Sequence, residues 1–398
     1  MASAAFPVLA ALEIPQAATE RPFPVHFRHP AYPDNAPPLL ALCASNGLLD
    51  YDLALVCCCI LAATNWNKGH LAVRQQEGLE KFPRPSDGLL RGREYFFCLE
   101  DVAVSVLHRI LTEKYPFVHL FHNWRFPHGN LPLQWARLDI FEYQPPPLLT
   151  APMAVTVRDG GCRISGYTDA VELAHLVPAK EKDWFVSNQM SKWFKYCRST
   201  TSQQCVISDD QNMLLLHSDL RHLFDTRRIA LVPKKVDIDT SQPSQLLVHV
   251  LEPSNSAQLV PLYHNRRLQH IQGLSKEFIF ARFAWSLFTD ERIPFVSWPG
   301  MFNIFVWNRI TNQLETRVFT SRDVFSFSQV FGSSARSQSP SRSGSPKKRQ
   351  RTEALGCDHS DYNSSDDEDL LSEDGCLGDL SFEQDGPRGR SLFRKSSK

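Results

Sequence analysis

CRISGYTDAVELAHLVPAKEKDWF (162–185) and SDDQNMLLLHSDLRHLFDTRRIALVPK (208–234) decide how this chain is read. In the second segment the apolar run Met213–Leu216 reads as a buried strand. SDLRHLFD then places Leu220 and Phe224 four residues apart, the spacing of one helix face, and IALVP returns to strand. The first segment, together with the preceding AVTVRDGG, alternates like strands joined by a glycine-containing turn. Between the two lies DWFVSNQMSKWFKYC (183–197), whose apolar residues recur at helical spacing.

Working outward, LLALCASNGLLDYDLALVCCCILAATNW (39–66) has few breakers and reads as a helix buried on most sides. REYFFCLEDVAVSVLHRILTE (93–113) predicts a short strand or turn running into an amphipathic helix, and FHNWRFPHGNLPLQW (121–135) is loop-like. PPPLL at 145–149 marks a boundary. Farther on, LLVHVLEP (246–253) reads as a strand and SKEFIFARFAWSLF (275–288) as an apolar helix. From about Gly332 the chain is rich in Ser, Arg and Pro, then acidic, then basic. Such a segment cannot bury enough apolar surface to offset chain entropy, so disorder is expected. The expected organisation is a disordered N-terminus over 1–20, an N-terminal region over 21–148, a central domain over 149–235, an extension over 236–331 and a disordered tail over 332–398.

The 398 residues exceed what one ordinary core uses, and a hydrophobic fraction of 42% with 11% aromatics is ample for packed units. The 43 basic residues balance 43 acidic ones, so any basic surface must be local. The ten cysteines show no paired framework and read as buried free thiols. Cys162, Cys197 and Cys205 bracket the central stretch without the CxxC knuckles of a zinc site. His26, His29, His122 and His128, in settings rich in proline and aromatics, read as packed loop histidines. The longest apolar run, Leu53–Ala63, is well short of the roughly 20 residues of a membrane helix. Residues Met1–Ala18 lack a basic leader. A soluble, intracellular chain is expected, in nucleus or cytoplasm and without a membrane partner.

Cys162, Ser165 and Gly166, then His175 with Val177 and Pro178, then Asn212, and finally Asp219, Leu220, Phe224 and Asp225 form an ordered set. In this order and spacing the set resembles the HNH-nuclease domain found in many fungal proteins. HPAYP, LDYDLALVCCCILAATNW, WRFPHGNLPLQW, LYHNRRLQHIQG and FARFAWSLF also resemble segments that flank that domain, which extends the likeness over most of 22–330.

The resemblance implies an α+β fold. In it a ββα-metal (HNH) module, enlarged by a helix around Trp184–Tyr196, is embedded between N- and C-terminal α/β segments and followed by the disordered tail. It also implies a divalent-metal-dependent endonuclease acting on nucleic acid, with DNA the first expectation. His175 would activate water, a task suited to a neutral imidazole whose ordinary pKa is about 6.5. Asn212 would brace the loop. Asp219 and His222 would be the available ligands for Mg2+, Mn2+ or Zn2+, and Arg221, Arg227 and Arg228 would meet phosphates.

One position departs from the family pattern: Arg221 stands where the family's last histidine, a metal ligand, follows Asp-Leu. Arginine offers no free lone pair. His222 is adjacent, but one residue along a helix turns it by about 100°. Two other classes therefore stand beside the enzyme: a catalytically inactive HNH scaffold that binds nucleic acid, and a protein-interaction platform. In the tail, Pro346–Arg351 (PKKRQR) is the kind of basic run nuclear import factors read. Ser364 and Ser365 precede acidic residues as an acidophilic kinase would require. The oligomeric state is left open.

Overall fold

Alternation in the first strands builds the first layer. In a computed structural model that describes residues 22–99, 114–146, 148–196, 207–234, 244–253, 256, 258–324 and 326, β1 (Phe23–Arg28) buries Val25 and Phe27 and leaves the residues between them partly exposed. β1 pairs antiparallel with β2 (Leu40–Ala44) and parallel with β7 (Glu94–Leu99). With β4 (Gly69–Gln75) and β5 (Gly78–Lys81) these complete a five-stranded sheet in the order β2-β1-β7-β4-β5. β3 (Leu49–Asp50) and β6 (Leu89–Leu90) form a separate short antiparallel pair. The helix expected in 93–113 falls mostly outside the described residues; its opening is β7.

The single helix expected over 39–66 is divided. Its first part is β2, Gly47 turns the chain at a φ of 82°, and the helix α1 (Tyr51–Leu61) begins only after β3. The divider is local chemistry: the Asp50 side chain accepts from the Leu53 N–H at 2.8 Å and caps the helix there. Downstream, α1 is buried on nearly every side. Cys57, Cys58 and Cys59 are buried free thiols whose pKa burial pushes up, so they act as small apolar residues.

A short helix, α2 (Leu133–Ala136), follows the aromatic loop. AVTV, expected as a strand, instead lies in α3 (Ala151–Asp159). Thr150 caps α3 by accepting from Met153, Pro152 suits its first turn, and Gly160 at φ 63° closes it. These end signals outweigh the β preference of two valines, and Val155 turns inward.

Next come β8 (Val171–His175), α4 (Lys182–Ser187), β9 (Met213–His217), α5 (Ser218–Asp225), β10 (Ile229–Lys234) and β11 (Gln245–Val250). β8 pairs antiparallel with β9, and β10 with β11. The strand–helix–strand reading of 213–234 is what the structure has. α6 (Leu259–Tyr263) and α7 (Lys276–Leu287) lead to the hairpin of β12 (Met301–Asn308) and β13 (Gln313–Thr320). The fold is mixed α+β with several small sheets.

Every residue of α7 after Lys276 is buried, and the helix packs on α1, α2 and β10. Phe278, Phe280, Phe283 and Trp285 supply its large side chains, each contributing roughly 1.5–3 kcal/mol by leaving water. One continuous apolar cluster runs from Val25 to Val324, with residues from both sides of 145–149 in it. The N-terminal 1–21 and the tail beyond 326 lie outside the described residues, as do the basic run Pro346–Arg351, Ser364 and Ser365. Among the described residues no helix is long and apolar enough to cross a membrane.

Candidate functional site

β9 is apolar along its length because both of its faces are covered. Leu214 and Leu216 enter the main core, while Met213 and Leu215 pack with Val155 of α3. Its free edge is closed by α3: the Asp159 carboxylate accepts from the Leu215 N–H at 2.8 Å, and Arg158, itself buried, reaches the carbonyls of Asp210 and Met213. The register sets His175 opposite Met213. α5 follows β9 directly and buries only Leu220 and Phe224, so its other faces are available.

Asn212 is fully buried just before β9. Its Oδ1 accepts from the Val177 N–H at 2.8 Å, and its Nδ2 donates to the Val177 and Ile207 carbonyls at 3.0 and 2.8 Å. Its own carbonyl accepts from the Leu176 N–H at 2.8 Å. One side chain thus fixes the backbone that leaves β8 immediately after His175.

His175 is half-buried at that strand end, and its Nε2 is shielded from solvent with no hydrogen-bond partner. Burial lowers its pKa first, the Arg221 guanidinium lowers it further, and Asp225 partly opposes them. The ring is therefore neutral at pH 7.

Arg221 Nη1 donates to Glu172 Oε2 of β8 at 2.5 Å, and its Nε lies 3.4 Å from Asp225, one helical turn on. A second guanidinium, which the sequence reading missed, comes from α7. Arg282 is 1% exposed; it donates to the Phe224 carbonyl, reaches the carbonyls of His175 and Leu176 at 3.5 Å, and stacks on the Phe224 ring at 3.6 Å. Burial pulls its pKa down to about 9, which still leaves it cationic at neutral pH. A charged residue inside the apolar run FIFARFAW was the available signal. Trp285 was likewise read only as core, yet Arg227 and Lys180 lie over its ring at 3.8 and 5.0 Å.

The remaining candidates make other contacts, none of them to His175. The Asp219 carboxylate accepts from the Leu220 N–H at 2.6 Å and lies 2.5 Å from His217 Nδ1. Asp219 is thus inside the first turn of α5, and the cap residue is His217. His222 is exposed. Arg227 donates to the Phe288 carbonyl, and Arg228 to those of Glu252 and Pro253, which makes both structural ties. Cys162 is a buried thiol; Cys197 and Cys205 lie outside the described residues. His29 stacks on Tyr115 at 3.7 Å and His128 on Trp193 at 5.9 Å.

The family model of HNH endonucleases matches residues 162–232. That segment spans the β8–β9 hairpin, α5 and most of β10, so this part of the chain is similar to an HNH endonuclease domain. No curated protein and no solved structure matches the chain.

The divalent metal that such a likeness implies does not fit the described residues. No three His, Cys, Asp or Glu side chains among them are grouped to hold an ion. The residue at the expected ligand position is a cation already bound to two carboxylates, and a second cation, Arg282, lies 3.9 Å from one of them.

Proposed function

We propose that residues 162–232 form a nuclease-type module that binds the phosphodiester backbone of nucleic acid at the edge made by His175 and Arg221. The observation that carries the reading is the buried, unpartnered Nε2 of a neutral His175 beside the Arg221 guanidinium. The family match to 162–232 supports a nucleic-acid ligand. Asn212 holds the strand end, so the backbone that carries the imidazole is fixed and only side-chain movement is needed to open Nε2 to a ligand. Lys180, exposed above Trp285, extends the cationic edge. On this reading duplex DNA is the first ligand to try, and Pro346–Arg351 is a basic run of the kind an import factor reads, so the nucleus is the compartment to examine beside the cytoplasm.

A second reading, hydrolysis, is favoured by the retained base and brace. His175 Nε2 would take a proton from water; the resulting hydroxide would attack phosphorus, the bond to the leaving oxygen would break, and that oxygen would be protonated from solvent. Asp219, now tied to His217, and His222, exposed on the same helix, would have to turn to the His175 edge to hold the metal that the family uses.

A plasmid-nicking and gel-shift assay separates the two readings. It compares wild type with His175→Ala in Mg2+, Mn2+, Zn2+ and EDTA. The binding reading expects shifted but uncut DNA, with the shift weakened in His175→Ala. Nicking that disappears in His175→Ala establishes the hydrolase. DNA neither shifted nor cut removes both.

A further inference from the structure

The disagreement between the HNH likeness and the side chains present has a positive side. We infer that Arg221 is the resident cation of this site, so that the His175 edge takes up a phosphodiester oxygen without any divalent ion. The inference rests on the phosphodiester reading above and names the group that neutralises the ligand.

Three observations carry it. First, Arg221 is held in place from two directions: Glu172 of β8 receives Nη1 at 2.5 Å, and Asp225 lies 3.4 Å from Nε. Among the described residues its Nη2 has no partner, which leaves N–H donors for a ligand. A guanidinium matches a phosphate in shape and hydrogen-bonding geometry as well as in charge. Second, a buried second guanidinium, Arg282, lies 3.9 Å from the same Asp225. Glu172 and Asp225 are 48% and 49% exposed, whereas Arg282 is 1% exposed. An arriving phosphodiester can therefore displace a carboxylate into water while the cations stay. Third, the His175 Nε2 is a separate buried polar atom beside Arg221 that lacks a hydrogen-bond partner, which a ligand oxygen reaching it would satisfy. The two carboxylates that could draw a dication here are already paired with guanidiniums, so among the described residues no anionic site is left over for it.

The test uses the full chain and fluorescence anisotropy of a labelled duplex oligonucleotide, in EDTA and in magnesium, over a series of salt concentrations. Wild type is compared with Arg221→Gln, Arg221→Lys and the distant exposed control Arg317→Gln. Thermal melts check that each variant is folded. The expected result is a wild-type affinity equal within about twofold in the two buffers. Arg221→Gln should weaken it about tenfold and flatten the log–log salt dependence by about one, the loss of one phosphate contact. Arg221→Lys should recover part of the affinity, since charge is kept and the fork is lost. The basic runs of the tail are the same in all variants and cancel in the comparison.

Wild-type binding that requires magnesium, or binding by Arg221→Gln as tight as wild type, overturns the inference and leaves the phosphodiester reading standing. No binding by wild type in either buffer removes both. Manganese EPR provides a readout that needs no nucleic acid: any manganese taken up by the acidic run of the tail should be the same in wild type and His175→Ala. A bound population lost in His175→Ala would contradict the inference.

Discussion

Arg221 on α5 and Glu172 on β8 are joined by a 2.5 Å ion pair that ties the helix to the strand ending in His175. The pair is more than a third exposed at both ends, so its share of stability is small, about 0–1 kcal/mol. Glu172→Gln should therefore leave the thermal midpoint nearly unchanged. By freeing Arg221 of a competing anion, it should also tighten nucleic-acid binding a fewfold at low salt. Weaker binding in Glu172→Gln would show that the carboxylate positions the guanidinium more than it competes for it.

Asn212 makes the opposite prediction. Asn212→Ala leaves the Val177 N–H and two carbonyls buried without their partner, at about 1–3 kcal/mol for each group left unsatisfied. Urea unfolding should show a loss of a few kcal/mol, and Asn212→Asp, which adds a buried charge, should do no better. A loss below about 0.5 kcal/mol would mean that the strand end is held by something else.

Arg282 joins α7 to both halves of the hairpin–helix unit, through the carbonyls of His175, Leu176 and Phe224. Arg282→Met keeps most of the volume but leaves those carbonyls without their buried donor. It should cost about 3 kcal/mol and raise proteolysis within 171–225 before the rest of the chain is cut. Uniform cleavage along the chain would argue against this coupling.

Acid should destabilise the protein in a defined window. His29 is buried; its Nδ1 accepts from the Ala31 N–H, which leaves Nε2 to donate to the Tyr115 carbonyl, a neutral tautomer. Burial lowers His29 to about 3 and His119 to about 4. Because the folded pKa lies below the unfolded one, the folded state binds fewer protons. Stability is complete above pH 6.5 and falls as pH drops toward 4 and 3. Each such group adds up to about 1.4 kcal/mol per pH unit to the slope. Urea midpoints between pH 7 and pH 4 should decline steeply, and His29→Gln should flatten the decline.

How much of this was legible in the sequence depended on whether the deciding signal was local. Met213–Leu216, Leu220 with Phe224, and the return at Ile229 carry their own periodicity, and β9, α5 and β10 followed. Leu39–Trp66 and Ala154–Val157 did not, because capping by Asp50 and Thr150 set the boundaries against the broader hydrophobic pattern. The site divides along the same line. Asn212 was readable from its motif. The importance of Arg282 depends on a contact across more than a hundred residues, which no spacing encodes. Arg221 was visible as a departure from the pattern, but its two carboxylate partners were not.

The most direct test of the central claim follows the His175 ring by NMR, with its signals assigned by their loss in His175→Gln. A duplex oligonucleotide is added to the full chain in EDTA. The ring signals should shift and saturate together with binding measured by anisotropy. If binding saturates while the His175 signals stay fixed, nucleic acid is held elsewhere on the chain, and the hairpin–helix site is not where this protein meets it.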